Sequence, residues 1–162
     1  MLNYSVLGNP MGVSVALLHG IFGSGNNWKG FILNLLERRL DLRIVLIDLR
    51  NHGGSPHYSE DNNLLQTALD VLDLQRTVGS FQAIVGHSFG GKVALQCGNI
   101  PFQTEIEEIW ALDSSPGAVV ANPEDQQEVA WVLETLRSIE MPVQRRSQVR
   151  QALLDRGASM MI

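Results

Sequence analysis

Four short apolar runs, each ending in polar sequence that holds or adjoins glycine or arginine, constrain this chain more than any other feature. Residues 13–18 run into His19-Gly20 and residues 43–47 into Asp48-Leu49-Arg50. Residues 82–85 run into Gly86-His87-Ser88, and residues 106–112 into Asp113-Ser114-Ser115-Pro116-Gly117. Apolarity that is continuous rather than alternating marks strands buried on both faces, as in a parallel sheet covered by helices. Between the runs the period lengthens to that of a helix. Residues 27–40 place Trp28, Phe31, Ile32, Leu35 and Leu36 on one face, and residues 64–78 do the same with Leu65, Ala68, Leu69 and Leu72. Residues 91–100 follow the third run and stop at Pro101. Strand alternating with helix predicts an α/β fold with right-handed crossovers. Residues 2–7 read as an added edge hairpin turning at Gly8-Asn9-Pro10.

Beyond Gly117 the character changes. Residues 118–162 hold no strand-like run, only two helical stretches, 124–139 and 143–154, parted by Met141-Pro142. The expected division is therefore 1–117 and 118–162.

Composition excludes several partner classes. With 12 basic and 17 acidic residues the net charge is −5, which gives no reason to expect nucleic acid or an anionic membrane as a partner. No apolar run approaches the roughly 18 residues that a membrane span requires. The first ten residues have neither the basic start nor the apolar centre of a secretory leader, so a cytoplasmic location is expected. The single cysteine, Cys97, sits within an apolar helical pattern and reads as core. Oligomeric state is left open.

The chemistry concentrates at Gly86-His87-Ser88-Phe89-Gly90, a G-x-S-x-G pattern between a predicted strand and a predicted helix. A nucleophilic serine in that sharp turn requires neighbours at Gly86 and Gly90 with almost no side chain. The bland alternative is a serine that caps the helix. His19-Gly20-Ile21-Phe22-Gly23 follows the first buried strand, where backbone N–H groups of a glycine-rich loop can face a substrate oxygen. The N–H of Ile21 or Phe22, with that of Phe89, would form the oxyanion hole. Its alternative is a plain strand-to-helix turn.

Together with Asp48-Leu49-Arg50-Asn51-His52-Gly53 and Leu112-Asp113-Ser114-Ser115-Pro116-Gly117, these motifs occur in the order and spacing of the α/β-hydrolases. H-G-I-F-G with D-L-R-N-H-G resembles one branch in particular, bacterial esterases of short esters and acyl-CoA thioesters with their mitochondrial and plastid relatives. The resemblance implies a mostly parallel sheet flanked by helices. Residues 1–117 would be the N-terminal part of the core, and 118–162 the start of a helical cap. It implies an acyl-enzyme on Ser88, a small-molecule ester or thioester substrate, and neither a metal nor an organic cofactor. Asp113 matches the position of the triad acid in some members of the branch, or else caps the turn at Pro116. His19 and His87 would be structural, with His87 turned into packing, and Asp48 with Arg50 would form a loop-fixing pair.

The family order is serine, acid, histidine, yet His19, His52, His57 and His87 all precede Ser88. Only 74 residues follow Ser88, about half of what the resemblance implies. The expectation is an incomplete α/β-hydrolase fold, truncated at its C-terminal side, with its nucleophile in place and little activity of its own. Two alternatives remain, a non-catalytic acyl-binding or regulatory protein and an acyltransferase.

Overall fold

The computed structural model describes residues 1–101, 105–117, 123–140 and 143–157. It divides into two compact units, Met1–Gly117 and Ala118–Ile162. In the first unit, β1 (Tyr4–Gly8), β2 (Val13–Leu18), β3 (Leu42–Ile47), β4 (Ala83–His87) and β5 (Glu108–Leu112) build one sheet in the order β1-β3-β2-β4-β5. Only β1 runs antiparallel to its neighbour. The helices α1 (Asn26–Leu36), α2 (Leu64–Val78) and α3 (Phe89–Asn99) join the parallel strands. The second unit contributes α4 (Pro123–Arg137) and α5 (Arg146–Asp155). Among the described residues, no helix is long and apolar enough to cross a membrane. The mostly parallel sheet flanked by helices, expected from the motifs, is the one observed.

Strand alternation sorts the apolar side chains onto two faces. Ala16, Leu18, Val45, Ile47 and Ile84 pack under α2 and α3. Leu17, Ile44 and Leu46 face α1 through Ile32. The second face is only partly covered. Beside α1 lies an apolar groove of about 760 Å³, floored by Val15, Leu17 and Val85 and bordered by Phe31 and Trp110. That exposure corrects the expectation for α1, where Ile32 is buried but Phe31 is 60% exposed.

Two further expectations shift. In α2 the buried side is Thr67, Ala68, Val71, Leu72 and Leu74, with Leu65 and Leu69 exposed. Thr67 can be buried because its hydroxyl donates to the Asn63 carbonyl at 2.9 Å. At the N-terminus there is an edge strand but no hairpin. β1 pairs with β3, residue for residue from Tyr4↔Ile47 to Gly8↔Arg43, and β3 stands between β1 and β2.

Cys97 is fully buried on α3, and its thiol is pushed up to about 12 by that burial. Iodoacetamide at pH 8 should therefore alkylate the folded chain more than about a hundredfold slower than the urea-unfolded chain. Comparable rates in the two states would contradict this packing.

Candidate active site

The chain leaves β2 toward one edge of the sheet and β4 toward the other, since β3 lies to the left of β2 and β5 to the right of β4. Loops that diverge this way open a crevice at the carboxyl ends of two neighbouring strands, the usual ligand position in α/β sheets. Leu18 pairs with Gly86 at that point, so His19-Gly20 and His87-Ser88 emerge side by side.

Ser88 sits at the mouth of the turn with φ 51° and ψ −113°, a conformation that costs a non-glycine residue about 1–3 kcal/mol. The surroundings hold it there. Its N–H donates to the Leu112 carbonyl at 2.9 Å, and its carbonyl accepts from the Gly91 N–H at 2.9 Å. The side chain makes no capping hydrogen bond to α3, so the helix-capping alternative does not describe it. A Cβ on Gly86 would lie 2.0 Å from the Gly90 carbonyl oxygen, and one on Gly90 would lie 2.6 Å from the carbonyl oxygens of Leu18 and His19. Both glycines are therefore required by close backbone approach.

A cleft of about 520 Å³ opens above this turn. Gly20, Ile21, Phe22, Trp28, His87 and Ser88 are among the residues that line it. Residues 20–23 form a tight turn closed by the Gly23 N–H on the Gly20 carbonyl at 2.9 Å, and Ile21 and Phe22 project from it at 46% and 61% exposure. The N–H groups of Ile21, Phe22 and Phe89 take no backbone partner among the described residues. Free donors are what an oxyanion site needs.

Each histidine has a defined place. His19 is buried, with Nδ1–H donating to the Gly20 carbonyl at 2.7 Å and Nε2 accepting the Leu49 N–H at 3.0 Å. Burial holds its pKa below the ordinary value and outweighs the opposing hydrogen bond to the Gly20 carbonyl, so the ring is a neutral tie between two loops. His52 turns Nδ1 to the Arg50 carbonyl at 2.7 Å and Nε2 to the Ile21 carbonyl, while its ring lies near-parallel to Phe89 with centroids 6.5 Å apart. Both contacts are to carbonyls, and a neutral imidazole has one N–H, so only one of them is a hydrogen bond in each tautomer. His57 is exposed beside Tyr58, in a separate depression. His87 corrects the expectation that it packs inward, because β4 directs alternate side chains to the half-open face and the ring is half exposed. Its Nε2 lies 3.8 Å from Asp113 Oδ2, and Asp113 itself is 90% exposed with φ 49°.

The other acids are structural. Asp48 does not pair with Arg50. It accepts the Gly25 N–H at 2.7 Å, the Gly54 N–H at 2.8 Å and the Asn3 side-chain amide at 2.8 Å. Arg50 instead bonds Asp70 at 2.7 Å and lies over the Tyr58 ring. The expected pair fails because the strand end turns the two side chains to different loops.

A family model described as the alpha/beta hydrolase fold matches residues 13–140. The chain belongs to the α/β-hydrolase family. It is similar to the mouse (Mus musculus) sn-1-specific diacylglycerol lipase ABHD11, 26% identical over 99% of this chain and 51% of that protein. A protein of Saccharomyces cerevisiae named "Probable alcohol acetyltransferase" is 38% identical over 50% of this chain and 24% of its own length. Among solved structures, a marine microorganism esterase superposes with a TM-score of 0.79 at 28% identity, over 95% of this chain and 57% of that one. The chain thus spans about half the length of the mouse relative and little more of the marine esterase.

His52 was expected in a loop near the site mouth, without its contacts. His52 lies between the Ile21 turn, whose carbonyl its Nε2 meets, and the Phe89 ring. Its only sequence signal is its place in Asp48-Leu49-Arg50-Asn51-His52-Gly53, which says that a loop approaches the crevice but not which carbonyl it meets.

Proposed function

We propose that this chain carries the nucleophile side of a serine hydrolase acting on carboxylic esters or thioesters. Ser88 Oγ attacks the substrate carbonyl carbon, its proton passes to a base, and the carbon–oxygen or carbon–sulfur bond breaks to leave an acyl-enzyme that water hydrolyses. The N–H groups of Phe89 and of Ile21 or Phe22 receive the developing oxyanion, and Gly20, Gly86 and Gly90 give the two loops room to meet. Asp113 serves as the acid of the triad. Residues 118–162 form the start of a helical cap.

The observation that carries this reading is the strained, uncapped Ser88 beside three free N–H donors. Evolution has little reason to hold a serine in that conformation for binding alone. The base is a different matter. His19 has both ring nitrogens occupied, His52 turns both of its nitrogens to backbone carbonyls, and no histidine of the 162 residues follows Ser88. Losing the triad histidine lowers the rate by about six orders of magnitude, so the chain alone should react very slowly.

A fluorophosphonate probe tests this directly. Prolonged incubation should label the folded chain slowly and at Ser88 only, with Ser88→Ala abolishing the adduct. Labelling that survives Ser88→Ala, or none at all on folded protein, would sink the hydrolase reading; the second outcome leaves a non-catalytic acyl-binding role. The similarity to the yeast protein favours one variant, transfer of the acyl group to an alcohol. Adding ethanol to an aryl acetate assay separates the two: ethyl acetate marks transfer, acetate alone marks hydrolysis.

A further inference from the structure

Asp113 poses a physical problem. It is a non-glycine residue at φ 49°, 90% exposed, in a loop with no secondary structure of its own. Left-handed conformations at such residues persist only where the surroundings over-determine them. Three ties do so here, and all three come from the first turn of α3. The Ser88 N–H holds the Leu112 carbonyl at 2.9 Å. Gly91 lets Ser114 close so tightly that a Cβ there would lie 2.6 Å from the Ser114 Cβ. Lys92 Nζ donates to the Ser115 carbonyl and, at 2.7 Å, to the Gly117 carbonyl.

We propose that Lys92 is a positioning residue for Asp113, fastening residues 113–117 to the helix that carries Ser88. The inference rests on the reading of Asp113 as the triad acid. Lys92 lies four residues after Ser88, one helical turn along the same side of α3, so nucleophile and fastening share one rigid frame. An ammonium has three donors and no acceptor, which suits it to gather two carbonyls that no backbone N–H among the described residues reaches. Charge-assisted donation is also stronger than a neutral bond, and it fixes the loop downstream of Asp113 while the Ser88 N–H fixes it upstream. Without Lys92 the downstream anchor is gone, and Asp113 is free to relax to negative φ. Its carboxylate would then leave its place 3.8 Å from His87 Nε2.

The test uses the full chain with Lys92→Met and Lys92→Arg. Backbone ¹⁵N order parameters of Asp113, Ser114, Ser115 and Gly117 should fall from the rigid range to below about 0.6 in Lys92→Met, with β4 unchanged. Lys92→Arg, which keeps the charge and the donors, should restore most of the rigidity. Unchanged order parameters at these residues in Lys92→Met would overturn the proposal. So would an equal fall along α3, which would place the effect of Lys92 on the helix itself. Fluorophosphonate labelling tests the hydrolase reading separately: if wild-type protein never labels, that reading fails by that result, while the order parameters still decide whether Lys92 holds the loop.

Discussion

Gly86→Ala should destabilise the first unit by about 3 kcal/mol and leave Ser88 unreactive, the cost of forcing a methyl group into closed packing. The added Cβ would lie 2.0 Å from the Gly90 oxygen and 2.2 Å from its carbonyl carbon. Those atoms are backbone of α3 and cannot swing aside as a side-chain tip would. Relief requires moving the start of α3 away from β4, which also pulls on Gly90, whose own Cα is wedged against the Leu18 and His19 carbonyls. Strand, helix and nucleophile are therefore one mechanical unit. Gly30→Ala is the natural control, since a Cβ there meets nothing within 4 Å in the middle of α1. It should stabilise by about 0.5–1 kcal/mol, because alanine favours a helix interior over glycine. Urea unfolding followed by circular dichroism measures both. Equal midpoints for the two variants would contradict the account of the turn.

The sheet was legible because buried parallel strands are continuous apolar runs, and residues 13–18 and 43–47 are unmistakable in that sense. Partner choice was not. The run at 2–7 announces a strand but not its neighbour, and the expected hairpin gave way to pairing with β3. Glycines carried the missing signal. A Cβ on Gly12 would lie 2.3 Å from the Asp41 carbonyl, and Asn9 N–H donates to the Leu42 carbonyl at 2.8 Å, so the turn after β1 grips the start of β3 rather than closing on β2. Glycine in such a place reports a close backbone approach as much as a reversal of direction.

The candidate site was legible to the extent that its chemistry lies in contiguous motifs. Ser88 and the Gly20–Gly23 turn could be placed from sequence because each follows its strand directly. His52 and Lys92 could not, since both act on backbone carbonyls distant in the chain, and a carbonyl leaves no mark in the residue code. The α2 face was misread for a related reason. Hydrophobicity ranks Leu65 and Leu69 above Thr67, yet a threonine that satisfies its hydroxyl within its own helix is buried at little cost.

Asp48→Ala should cost about 3 kcal/mol at pH 7, because it strips three donors of a shared buried acceptor. Burial works against the Asp48 charge, but the hydrogen bonds from Gly54, Asn3 and Gly25 outweigh it and hold the carboxyl below the usual carboxylate range. A carboxyl that titrates lower when folded contributes stability in full above its unfolded value near 4, and that contribution fades as pH falls through the folded value. His19 acts in the same direction one step earlier. Its folded pKa lies below 6.5, so acid protonates the unfolded chain first and stability begins to fall below about pH 6.5. Wild-type protein should therefore lose stability in two stages on acidification. Asp48→Asn keeps the size of the side chain, yet turns an amide toward donors that need an acceptor, so it should lose about 2 kcal/mol at neutral pH. It should also lack the lower stage while retaining the upper one. Urea midpoints measured from pH 8 to pH 3 resolve the two. A variant whose curve runs parallel to wild type below pH 5 would show that the Asp48 charge does not hold the strand end, the Gly25 turn and the Gly54 loop together.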